Sequence, residues 1–232
     1  MPYVVMDTSV SLPATLSATG MARKFWLLLA LGAIASQIEH YRLTLEELRA
    51  ESEVTGALPG ALASIEAEAH AAERRRAALR DLLPHDTPEH WVAVGGAAIF
   101  DEYERKVREI GRRLNPNVRD TDVQQLRHET EAVCVAGSPS FNPDDSPPFT
   151  RDRKDDPIVY TALLGEADYL ISDDHDIVPD GSEQAYEHDE HQILAVTFNR
   201  FVTTYFEPAD LDWGAIDGRW LRHAFDDPGG RP

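Results

Sequence analysis

The sequence predicts an α/β fold built on a mainly parallel sheet. Short apolar runs at residues 3–6, 133–136, 167–171 and 193–197 read as buried strands, and segments of helical periodicity separate them. Carboxylates stand just past two of these runs, Asp7 after the first and Asp174 after the third. That is where ligand sites form in parallel sheets, beyond the carboxyl ends of the strands.

Each element follows from its residues. Tyr3–Met6 (YVVM) is a short apolar run closed by Asp7. Residues 22–41 form a helix whose first part, FWLLLALGAIA at 25–35, is apolar but about half the length needed to span a bilayer. A basic pair ahead of it and Ala33-Ile34-Ala35 at its end resemble a signal peptide starting at Met21. A buried core helix, with no membrane partner, is the expectation. Residues 43–54 read as a further helix carrying Glu46, Glu47 and Glu51, ended by Gly56, Pro59 and Gly60. Residues 62–83 are helical and rich in Ala, Glu and Arg. Ile99, Tyr103, Val107, Ile110 and Leu114 then recur at spacings of three and four on one helix face. Thr121 and Gln124 have capping-box spacing.

After the strand at 133–136, residues 137–150 form a loop rich in Pro, Ser and Asp. A helix at 157–165 and the strand at 167–171 follow. Residues 178–191 read as a polar, acidic connection to the last strand, which leads into the segment 198–206. The expected organisation is one domain over 1–207, with a helical insert at about 58–127, and a C-terminal tail at 208–232 carrying Trp213 and Trp220.

Composition narrows the chemistry. The chain has 232 residues, 42% of them hydrophobic, enough for a core that needs no disulfide or metal. The lone Cys134 excludes an internal disulfide and a Cys-rich zinc site, and fits a reducing cytoplasm. The net charge of −19 opposes unassisted binding to a polyanion. It therefore points to a local basic patch, a divalent cation, a cationic partner or a salt-rich cytoplasm.

The carboxylates form the most informative set. Asp7 is followed by Thr8 and Ser9, so it also fits a helix cap. Glu46 and Glu47 also fit a solvated helix face. Asp155 and Asp156 precede Pro157, which favours the first helical position, so Asp156 reads as the N-cap and Asp155 as free to face a ligand. Asp173, Asp174 and Asp176 crowd one strand end, where a divalent cation would relieve their repulsion. Oxygen-only ligands suit Mg²⁺ or Mn²⁺, and such a site activates water and stabilises charge on a phosphodiester.

At this point the chain resembles the PIN-domain nucleases. YVVMDTSV (residues 3–10) is similar to their opening strand, where Asp is followed by Thr and then Asn or Ser. DDPIVYTALLGEADYLISDDHDI (residues 155–177) is the stronger match, through Asp155, Ile158, Val159, Ala162, Gly165, Ala167, Asp168, Ser172, Asp174 and Asp176. ILAVTFNRF (residues 193–201) resembles the last strand and the element after it, without the usual proline. The resemblance implies a PIN-like three-layer α/β/α fold and an acidic quartet of Asp7, Glu47, Asp155 and Asp174. Asp176 matches an auxiliary metal position, while Ser9 and Ser172 match supporting hydroxyls. Glu47 fits the second carboxylate through its Glu-Leu pair, with Glu46 as the alternative. The implied activity is Mg²⁺- or Mn²⁺-dependent RNA hydrolysis, often as the toxin of a toxin–antitoxin pair and often as a homodimer. A catalytically silent scaffold binding a protein partner is the competing expectation.

Positive charge concentrates at Arg74, Arg75, Arg76, Arg80, Arg105, Lys106, Arg108, Arg112 and Arg113, either to grip RNA or to pair with neighbouring Glu residues. Arg151, Arg153 and Lys154 precede Asp155, placed to hold a phosphate near the metal.

Overall fold

The computed structural model describes residues 2–16, 21–55, 59–81, 83, 89–114, 119–136, 148–179 and 183–205. The chain runs β1 (Tyr3–Met6), α1 (Thr8–Leu16), α2 (Met21–Thr55), α3 (Pro59–Arg80), β2 (Val92–Gly95), α4 (Ala97–Leu114), α5 (Asp120–Ala132), β3 (Cys134–Ala136), α6 (Asp156–Leu164), β4 (Tyr169–Ile171), β5 (Glu183–His188), β6 (His191–Val196) and α7 (Phe198–Thr204). The strands form one sheet in the order β3-β2-β1-β4-β6-β5. All neighbours are parallel except the β5–β6 hairpin at one edge.

Strand alternation sends successive side chains to opposite faces. Val4, Met6, Ala93, Ile171 and Val196 join one apolar cluster with α1, α2, α3 and α7. Val5, Val94, Leu170 and Ala195 join another with Ile99 of α4 and with Ile158, Val159, Ala162 and Leu163 of α6. Helices thus cover both faces of a mostly parallel sheet, an arrangement compatible with a three-layer α/β/α fold.

The sheet departs from the sequence reading in the region expected to be a helical insert at 58–127. That region holds β2, which pairs with both β1 and β3, and α4 and α5 follow it as parts of the main fold. All four residues of β2 are buried. A strand covered on both faces shows itself only as a continuous apolar run, and here the run Trp91–Val94 lies between long helical segments that masked it. Residues 178–191, read as a connection, contain β5; half of its residues are exposed and only Tyr186 is buried, as befits an edge strand. Asp189 closes the hairpin with φ 53, a left-handed conformation that Asp tolerates.

Residues 22–41 and 43–54 form one continuous helix, α2, because Arg42-Leu43-Thr44 holds neither Gly nor Pro and Thr44 donates its hydroxyl to the His40 carbonyl at 2.9 Å. The apolar stretch is core: Phe25 to Leu31 are fully buried and Ile34 is nearly so. By length and composition alone, Met21–Glu53 would also pass as a membrane-spanning helix. α5 begins before the expected Thr121 cap, with Asp122 accepting from the Arg119 N–H at 3.3 Å. The tail at 208–232 and most of the loop at 137–150 lie outside the described residues.

Candidate metal centre

The chain leaves β1 to one side for β2 and β3, then returns across the sheet to β4. The strand order therefore reverses at β1 and β4, and a crevice opens at the carboxyl ends of such strands. Asp7 follows β1, Ser172 to Asp176 follow β4, Glu102 lies in the second turn of the helix after β2, and Asp155 lies on the return from β3.

Asp7 is buried and held from all sides. Its Oδ1 accepts the Thr8 N–H at 2.5 Å and the Thr8 hydroxyl at 3.2 Å. Its Oδ2 accepts the Ser9 hydroxyl at 2.6 Å, the Ser9 N–H at 3.4 Å and the Ser172 hydroxyl at 2.8 Å. The same two hydroxyls steady the acidic turn after β4. Ser172 Oγ accepts the Asp174 N–H and Ser9 Oγ accepts the Asp173 N–H, each at 3.0 Å. Within that turn, Asp174 Oδ1 accepts the Asp176 N–H at 2.8 Å, and Tyr186 Oη of β5 reaches the Ile177 carbonyl at 2.5 Å. Ser9 and Ser172 thus link the two strand ends.

The helix cap falls one residue earlier than the sequence reading placed it, while Asp155 keeps the place facing the crevice. Asp155 occupies the N-cap position of α6 without a side-chain capping bond, and Asp156 is the first helical residue. Asp156 is fully buried. It accepts from the N–H groups of Phe149 and Thr150 at 3.1 and 2.8 Å, from the Thr150 hydroxyl at 2.8 Å and from Arg153 Nε at 3.2 Å. Pro157 still begins the helix, but it takes the second position, which shifts the cap back by one residue. Asp156 anchors the loop, and the Asp155 carboxyl remains turned to the crevice.

Burial and then the charges of Asp174, Glu102, Asp7 and Asp152 push the Asp155 carboxyl up to about 7. Burial and the charge of Asp7 also raise Glu102, against the pull of Arg105 and Lys106 and a hydrogen bond from Thr8. Carboxyl oxygens of Asp152, Asp155 and Asp176 lie within 4.8 Å of one another, so the three could hold one cation. Asp155, Asp174 and Asp176 line one cleft with Glu102 and Asp152, and Asp7 lies within electrostatic reach of both Asp155 and Glu102.

Glu47 is not among them. It is exposed on the far half of α2, where the helix packs along α3. At 1.5 Å per residue it lies roughly 20 Å further along the helix axis than Ile34, which still touches the core. Glu46 is also exposed there and pairs with Arg42 at 2.6 Å. Glu102, on α4, lines the cleft with Asp155 and Asp174, which neither Glu47 nor Glu46 does. Its signal was present: an apolar run, Trp91–Val94, then Gly95-Gly96, then a periodic helix. Asp152 was also missed; its only cue is its position three residues before Asp155.

The basic residues divide. Lys154 lines the cleft with Nζ 3.7 Å from Asp152, and exposed Arg151 sits 2.5 Å from Asp176 Oδ1. Arg153 is bound to the anchoring Asp156, a structural contact. In the former insert, Arg76 and Arg80 converge on Glu89, and Arg105 and Arg108 pair with Glu102 and Glu104. Pairing with acidic neighbours, rather than a free basic face, is what these four arginines show. Comparisons of the chain with protein-family models, with curated proteins and with solved structures give no match.

Proposed function

We propose that this protein is a metal-dependent nuclease that hydrolyses RNA phosphodiesters, with a PIN-like fold and a centre composed of Asp7, Glu102, Asp155 and Asp174, assisted by Asp152 and Asp176. The observation that carries the reading is the convergence of these carboxyls, from four segments of chain, at the point where the strand order reverses. Such crowding is electrostatically unfavourable without a cation; burial first, and then these neighbouring charges, displace Asp155 upward.

The donor set is oxygen only, which suits Mg²⁺ or Mn²⁺. Asp152, Asp155 and Asp176 offer the closest oxygens, and Asp174 adds charge beside them. A bound divalent cation supplies Lewis acidity toward a phosphoryl oxygen and makes water acidic enough to attack near neutral pH. The chain's own contribution is position. Ser9 and Ser172 fix Asp7 and the Asp173–Asp176 turn together, and Thr8 lies between Asp7 and Glu102.

The test is incubation of the purified chain with a mixed single-stranded and structured RNA pool, in Mn²⁺ or Mg²⁺ and in EDTA. Cleavage should require the metal and fall at least about a hundredfold in Asp174→Asn, the scale for removing one charge-stabilising group from a site. Metal-independent cleavage, or full activity in the folded variant, overturns the reading. The net charge of −19 favours a second reading, a silent scaffold for a cationic protein partner such as an antitoxin. A folded protein that cuts nothing in any buffer would support it.

A further inference from the structure

The cleft encloses about 800 Å³. One wall is a single face of α4: Ala98, Asp101, Glu102, Arg105 and Lys106 recur at spacings of three and four and all line it. The acidic residues and Lys154 form the opposite wall. A phosphodiester strand entering this cleft meets carboxylates on both sides, so a cation on its walls is the side chain best suited to offset their repulsion of a phosphate. The cations around the cleft are not equal. Arg105 reaches Glu102 at 3.4 Å and Glu109 at 3.9 Å. Lys154 lies 3.7 Å from Asp152, and Arg151 lies 2.5 Å from Asp176. Lys106 makes no ion pair with any described residue. It is half-buried on the cleft wall one helical turn beyond Glu102, whose charge it feels.

No aromatic side chain lines the cleft among the described residues. A platform for base stacking, the usual means of gripping a single strand by its bases, is therefore missing from these walls.

We infer that Lys106 is the substrate-phosphate ligand of this cleft, and that the strand is held there by its backbone rather than by its bases. The inference rests on the nuclease reading for its substrate class, but its test does not depend on hydrolysis. A lysine presents a point charge to a phosphate and releases a counterion on contact. Its loss should therefore weaken binding by a similar factor for every sequence.

The experiment measures binding of fluorescent RNA oligonucleotides of three unrelated sequences to the full chain in Mn²⁺, across a salt series, for wild type, Lys106→Ala and Lys106→Arg. Calorimetric Mn²⁺ titration and, where cleavage occurs, KM and kcat run beside it. Lys106→Ala should bind all three RNAs about three- to tenfold more weakly. The log–log salt slope should become shallower by about 0.7, the value for one single-strand phosphate contact. KM should rise by a larger factor than kcat or Mn²⁺ affinity changes, and Lys106→Arg should restore binding.

Equal RNA binding and equal slope in wild type and Lys106→Ala overturn the assignment while leaving the nuclease reading intact. An effect confined to one sequence overturns the backbone reading. RNA binding that depends on Lys106 without any cleavage supports the inference and removes the hydrolysis. No RNA binding by the wild type overturns both.

Discussion

At the residue scale, Asp155 and Glu102 decide how the cleft behaves. Burial and four neighbouring carboxylates raise Asp155 to about 7, far above its unfolded value of 3.8. Between those two values the folded chain holds a proton that the unfolded chain has released. Stability of the metal-free protein therefore falls as pH rises through that window and levels off above about 7. Asp155→Asn should remove this dependence and raise the metal-free melting temperature at pH 7.5. An increase of about 2–4 °C is expected, the shift that about 1 kcal/mol produces in a chain of this size after allowing for the partial exposure of Asp155. Thermal melts in EDTA at several pH values check it; an unchanged slope would show that Asp155 is not held protonated. Glu102 separates the two candidates for the second carboxylate. Glu102→Gln should lower metal-dependent cleavage by about a hundredfold, and Glu47→Gln by no more than about twofold. Parallel single-turnover assays on the two variants decide between them, and the reverse order of effects would restore Glu47.

At the scale of elements, the site exists because α2 and β2 pack closely. Gly32 sits on the buried part of α2, and a Cβ built there would lie 1.8 Å from the Trp91 carbonyl oxygen and 2.9 Å from its carbon. That neighbour is backbone at the entrance to β2, so no side chain can swing aside. Gly32→Ala must push the helix away from the start of β2 and should destabilise the fold by about 3 kcal/mol or more. Urea unfolding measures this, and a loss below about 1 kcal/mol would mean that helix and strand can part freely. Correct placement of β2 in turn places α4, and with it Glu102 and Lys106, over the crevice. The β5–β6 hairpin plays a comparable part at the other side, where Tyr186 holds the turn that carries Asp174 and Asp176.

At the scale of the whole molecule, much of the acidity is paired. Glu89, Glu104 and Asp101 are engaged by Arg76, Arg80, Arg108 and Arg127 across α3, α4 and α5. In the cleft, carboxylates also face one another, and the exposed Arg105, Arg151 and Lys154 pair with only three of them. The sequence by itself determined the alternating α/β plan, the buried core helix, the two strand-end aspartates and the Ser9 and Ser172 hydroxyls, because these depend on local pattern and on residues next to strand ends. It also marked Asp155, although which of two adjacent aspartates caps the helix depended on where Pro157 fell. Only the tertiary structure decided that Val92–Gly95 is an internal strand, that Glu102 and not Glu47 lines the cleft with Asp155 and Asp174, and that Asp152 lies beside Asp155 and Asp176. The apolar run Trp91–Val94 was legible but sat inside a region dominated by helical pattern, and a glutamate on a helix looks alike in sequence whether the helix ends in solvent or leans over a crevice. Strand order settles that difference, since pairing of β2 beside β1 is a long-range contact that no local pattern encodes.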